Sequence, residues 1–172
     1  MAAVVLAVAA LLSCGSAAGA PDAGFDWPLR PRPVIGRPFD PPDQDWLPGH
    51  RGVDLAGTAG QAVYAAGPGI VVFAGKVAGK PVVAILHEGG LRTTYEPVEA
   101  GIAVGRRVTR GTRIGELAPG HVGCPTPACL HWGLRREGTA HSSREYLDPL
   151  GLLRRTPIRL KPVEHGTPGA GG

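Results

Sequence analysis

The feature that most limits what this chain can fold into is the way glycine and proline are spread through it. The 27 glycines and 18 prolines make up about a quarter of the 172 residues, yet they are scattered among short Val-rich runs and form no low-complexity tract. Proline removes a helical hydrogen bond, and glycine weakens a helix interior by about 1 kcal/mol relative to alanine. No stretch after Leu55 reads as a long amphipathic helix, and only a short turn is expected at Tyr146–Leu153. The same punctuation suits an all-β domain built from short strands and tight turns. The runs "QAVYAA", "GIVVFAGKV", "PVVAILHEGGLRTTYEPV", "RRVTRGTRIGELA" and "ACLHWGLRR" are the predicted strands. "HEGGL" is a predicted hairpin turn, with Gly89 and Gly90 able to take positive φ. The proline-rich stretch Phe25 to His50 is expected to wrap the domain irregularly.

At the N-terminus, an apolar run from Ala2 to Leu12 is followed by small residues ending in "AGA" at Ala18–Ala20. The run is too short to span a bilayer comfortably, so residues 1–20 are expected to be a secretory signal peptide. A second reading takes "LLSC", Leu11–Cys14, as a lipoprotein box that leaves Cys14 lipid-modified. Either way the mature chain is expected outside the cytoplasm, secreted or in the cell envelope, with no transmembrane segment. Removal or acylation of Cys14 leaves Cys124 and Cys129, in "CPTPAC", as an even pair in an oxidising compartment. A disulfide closing so short a loop adds about 2 kcal/mol on the chain-entropy estimate. The net charge of +4 suits any polyanionic surface, a bacterial cell wall included. No Lys/Arg-rich run interleaves with aromatics, which argues against a nucleic-acid partner.

Two stretches carry chemistry. "PGHRGVDLAG" holds His50 and Asp54 around Gly52; on an extended strand the three share one face while Val53 and Leu55 point to the core. A glycine between two ligand-type residues is expected to leave room above them for an ion. A surface ion pair is the competing reading. "CLHWGL" puts Cys129, His131 and Gly133 on one strand face and Leu130, Trp132 and Leu134 on the other, and a structural core histidine competes here. Two imidazoles and a carboxylate make a sound zinc set with one tetrahedral position left for water.

"HRGVDLAGTAGQAVYAAGPGIVVFAG", "LRTTYEPV", "VTRGTRIGEL" and "CLHWGL", in this order and spacing, resemble the lysostaphin/LytM-type zinc metallopeptidases of bacterial cell-wall turnover. The resemblance runs from about Trp27 to Leu153, and residues 25–153 are expected to form the metallopeptidase domain, with 154–172 a partly disordered tail. It implies a compact antiparallel β-sandwich or barrel-like single domain with a narrow groove over one zinc ion. His50, Asp54 and His131 are the implied zinc ligands, and peptidoglycan peptide the implied substrate.

The departures from the family pattern bear on catalysis. Members usually read His-Leu-His on the late strand, and Cys129 stands at the first of those positions. They also carry a histidine in "Tyr-x-His-Leu", where this chain has Pro97 in "YEPV". General acid–base help is worth typically 10²–10⁴-fold, so loss of both groups spares zinc binding and cuts turnover. His121, in "PGHVGC", and Glu96 are the candidate substitutes. Cys129 has three readings: a disulfide with Cys124, a fourth zinc ligand, or a free catalytic thiol. His87 reads as structural, and His141 and His165 as exposed. The sequence thus favours a weak or divergent zinc metalloendopeptidase. The alternative is a catalytically inactive zinc-binding domain that binds cell-wall peptide or regulates another hydrolase.

Overall fold

The computed structural model describes residues 24–44, 46–120, 123–124, 126–138 and 144–154. The expected signal peptide, Cys14, His121, His141, His165 and nearly all of the expected tail lie outside them. Eleven strands follow one another: β1 (Ile35–Arg37), β2 (Gly52–Gly57), β3 (Ala62–Tyr64), β4 (Gly69–Val77), β5 (Lys80–Leu86), β6 (Leu91–Glu96), β7 (Val98–Ala100), β8 (Arg107–Val108), β9 (Arg113–Leu117), β10 (Ala128–Arg136) and β11 (Glu145–Leu147). Helical geometry among the described residues is limited to 3-10 turns at Glu88–Gly90 and Pro149–Arg154. The proline-rich N-terminal stretch, expected to be wholly irregular, contributes β1 and so one edge of a sheet.

Eight strands make one antiparallel sheet in the order β1-β2-β10-β6-β5-β4-β8, with β11 on the far end of β10. A second antiparallel sheet has the order β3-β9-β7. The sheets do not close into a barrel. Alternation explains the core: Val53, Leu55, Val71, Val83, Ile85, Tyr95, Leu130 and Trp132 of the large sheet meet Val63, Val98, Ile114 and Leu117 of the small one. Each of these is fully or almost fully buried, and such a side chain contributes about 1.5–3 kcal/mol of transfer free energy. β4 and β5 join through a two-residue turn with Ala78 at φ 48° and Gly79 at φ 82°. That left-handed pair matches the strand twist, at some steric cost for the alanine, and it sets where Lys80 begins β5.

His87 is the structural residue its place at a strand end suggested. Its Nδ1 donates to the Pro68 carbonyl at 2.7 Å, and its Nε2 is hydrogen-bonded to the Thr93 hydroxyl at 2.7 Å. Thr93 is bonded in turn to Tyr95 Oη at 2.9 Å, and Tyr95 Oη accepts the Ala66 N–H at 3.0 Å. Burial lowers the His87 pKa, against the opposing pull of the Pro68 carbonyl. Burial likewise pushes the Tyr95 phenol up to about 12.

Candidate metal centre

β2 and β10 are central neighbours, and their register makes Asp54 and His131 direct cross-strand partners. Directly opposed residues share a sheet face with Cβ atoms about 4.5–5.5 Å apart, which brings a carboxylate and an imidazole together. His50 reaches the same point from outside the strand. It precedes β2 and pairs with Asp40 through His50 N–H to Asp40 O at 2.6 Å and Asp40 N–H to His50 O at 3.0 Å. Its ring is oriented by Nδ1, which donates to the Pro38 carbonyl at 2.6 Å and so turns Nε2 toward Asp54.

The three donor atoms form a near-equilateral triangle. His50 Nε2 lies 2.9 Å from Asp54 Oδ1 and 3.1 Å from His131 Nδ1, and His131 Nδ1 lies 2.9 Å from Asp54 Oδ1. One proton serves one edge of such a triangle well, whereas a divalent cation serves all three corners. Zinc takes N and O ligands at about 2.0–2.2 Å in tetrahedral array, which spaces donors by about 3.3 Å. The edges here are only slightly shorter, so the residues present fit that ion. The His50 and Asp54 side chains are 5% and 0% exposed and that of His131 is 21% exposed, so the cluster opens on the His131 side.

Gly52 has a different purpose from the one its sequence suggests. A Cβ there would lie 2.6 Å from the Trp132 carbonyl oxygen and 2.7 Å from His131 Nε2. The space is filled by the His131 imidazole, not reserved for an ion. Gly133, the register partner of Gly52, likewise makes way for Thr94, whose Oγ1 would lie 2.4 Å from an added Cβ.

The cluster lies in an open groove lined by Arg37, Gly49, His50, Arg51, Lys80, Glu96 and His131, with room for about 340 Å³. A larger hollow beside Glu99, Arg113 and Glu116 shares no lining residue with this groove. Of the residues singled out from sequence, His50, Asp54, His131 and Glu96 are brought together. Glu96 is the cross-strand partner of His131 on its β6 side and pairs with Lys80 Nζ at 2.9 Å. Cys129 is joined to Cys124 by a disulfide and fully buried, which removes the fourth-ligand and free-thiol readings. Arg37, Arg51 and Lys80 had not been identified from sequence. Arg51 lies inside the "HRGVD" motif, so its place there is the sequence signal for it. Nothing local marked the other two.

Comparison with known proteins agrees with this geometry. The profile of peptidase family M23 matches residues 48–143. An uncharacterized protein of Mycobacterium tuberculosis is 56% identical over 164 residues, covering 92% of this chain and 65% of that protein. This chain therefore spans about two thirds of its curated relative. Among solved structures, Csd3 of Helicobacter pylori is similar with a TM-score of 0.60 at 29% identity, over 81% of this chain and 35% of that one. A zinc-containing peptidase from Vibrio cholerae gives 0.53 at 27%, over 64% and 36%. The solution structure of lysostaphin gives 0.55 at 25%, over 70% and 50%.

Proposed function

This chain belongs to peptidase family M23, the lysostaphin/LytM-type family that its motifs resemble, and on that footing we propose that it is a zinc metalloendopeptidase acting on peptidoglycan peptides outside the cytoplasm. The observation that carries the reading is the triangle of His50 Nε2, Asp54 Oδ1 and His131 Nδ1 at 2.9–3.1 Å, which are the proposed zinc ligands. An ion held there supplies Lewis-acid activation of water and of a peptide carbonyl. The chain's own part is to orient and to move protons. His50 is held in one tautomer by Pro38, and Asp54 is buried between two core residues, so neither ligand has freedom to drift. Glu96 faces the same groove, and its carboxylate is the proposed base that takes the proton of the attacking water and returns it to the leaving amine. Lys80 Nζ, 2.9 Å from Glu96 Oε1, holds that carboxylate at the groove. Residues 1–20 as an export signal, or Cys14 as a lipidation point, suit the same location; the mass of the mature N-terminal peptide distinguishes them.

A second reading has its own support. The two helper-histidine positions of the family pattern are taken by a half-cystine, Cys129, and by Pro97. On that reading the domain holds zinc and binds cell-wall peptide, or regulates another hydrolase, without cutting.

The deciding experiment is peptide release from purified peptidoglycan by the zinc-loaded protein. Release by wild type that is lost in His131→Ala and cut by 10²–10⁴-fold in Glu96→Gln supports the enzyme with Glu96 as base. Undiminished release by Glu96→Gln removes that role. Zinc and peptidoglycan binding without release supports the second reading, and a wild type that takes up no zinc overturns both.

A further inference from the structure

The charge around the triangle is organised along one line of the sheet. The register aligns Arg37 of β1 with Asp54 of β2, Asp54 with His131 of β10, and His131 with Glu96 of β6. The four residues form one rung, and all four line the groove or the cluster within it. Arg37 and Glu96 thus flank the cluster on opposite sides. The Glu96 side is neutralised by Lys80 at 2.9 Å. The Arg37 side is not: among the described residues no carboxylate lies within 4.0 Å of the Arg37 guanidinium, which is exposed. Arg51 adds a second guanidinium to the groove, held by Nη2 donating to the Leu47 carbonyl at 3.1 Å and by the Tyr146 ring at 5.5 Å. Among the described residues that line the groove, apart from the metal cluster, three are cationic and one is anionic. A groove of this kind raises the local concentration of anions and favours groups that a planar guanidinium can bind through two parallel hydrogen bonds.

We propose that Arg37, in the groove that Arg51 also lines, forms a carboxylate-binding subsite, and that the groove selects peptides carrying a free carboxylate on the β1 side of the metal cluster. The inference rests on the peptide-binding reading above, but not on hydrolysis. The carboxylate comes from an acidic side chain or from a chain terminus, and the two are distinguished by the probes chosen.

The test measures affinity by fluorescence anisotropy on the full chain, with metal chelated so that no probe is cut. Three coumarin-labelled tetrapeptides serve: all-alanine with an amidated end, all-alanine with a free terminal carboxylate, and an amidated peptide with one internal glutamate. At least one carboxylate peptide is expected to bind roughly tenfold more tightly than the neutral one, and which one does so identifies the source. That gap is expected to close in Arg37→Gln, to survive in part in Arg37→Lys, and to shrink as salt is raised. Equal binding of all three probes by wild type, no binding of any, or a gap unchanged in Arg37→Gln overturns the subsite. Cleavage is scored separately on the zinc-loaded protein: a preserved gap without cleavage refutes only the hydrolase, and cleavage indifferent to carboxylates refutes only the subsite.

Discussion

The sharpest test of how the sheet builds the metal centre is a single methyl group. In Gly52→Ala the new Cβ falls 2.6 Å from the Trp132 carbonyl oxygen and 2.7 Å from His131 Nε2, short of the 3.0 Å floor for real Cβ contacts by 0.4 Å and 0.3 Å. The carbonyl belongs to β10, which is hydrogen-bonded on both sides to β2 and β6, so the backbone has little room to retreat. The imidazole must therefore tilt, and Nδ1 moves with it because the ring is rigid. A displacement of that size exceeds the roughly 0.2 Å within which ligand distances of a well-formed metal site are held. Mispositioning a ligand through its supporting contacts costs typically 10–100-fold in metal affinity, or about 1.4–2.7 kcal/mol. Overpacking adds about 1–3 kcal/mol of lost stability in the metal-free protein. The assay is zinc titration against a competing chelator, with thermal unfolding of the stripped protein alongside. Gly151→Ala is the control, since a Cβ there meets nothing within 4 Å. If Gly52→Ala binds zinc as tightly as wild type, Gly52 is not what seats His131 and the steric argument fails.

Three further outcomes follow from the same packing. The lowered His87 pKa means that the unfolded chain, whose imidazole has its ordinary value of about 6.5, takes up a proton that the native state resists. Stability therefore falls as pH drops below about 6.5 and is fully present above it; urea unfolding at about pH 7.5 and 5.5 should show a drop that is smaller in His87→Gln. Tyr95→Phe strands the Ala66 N–H and a partner of Thr93 in the core, for a loss of about 1–3 kcal/mol read by denaturant midpoint at unchanged slope. Reduction of the Cys124–Cys129 bridge, five residues apart, should lower stability by about 2 kcal/mol in the same measurement while leaving zinc affinity intact, because neither sulfur touches the His50–Asp54–His131 triangle.

The sequence alone was enough for the class of fold, because turn-forming residues and period-2 alternation are local properties. Val53, Leu55, Leu130 and Trp132 are buried where alternation put them, and Gly89 and Gly90 take the positive φ expected of the hairpin. That His50, Asp54 and His131 belong together was legible through the family resemblance of their motifs, since each motif alone left an ion pair or a core histidine as a competing reading. What only the tertiary structure decided depends on register between strands far apart in the chain. That register set Arg37, Asp54, His131 and Glu96 in one row, and the β4–β5 turn delivered Lys80 to Glu96. It also gave Gly52 its meaning, because the atoms its side chain would strike belong to a strand almost eighty residues away. Short motifs name the groups that do chemistry; which charges surround them, and which spaces must stay empty, is settled by how the sheet is assembled.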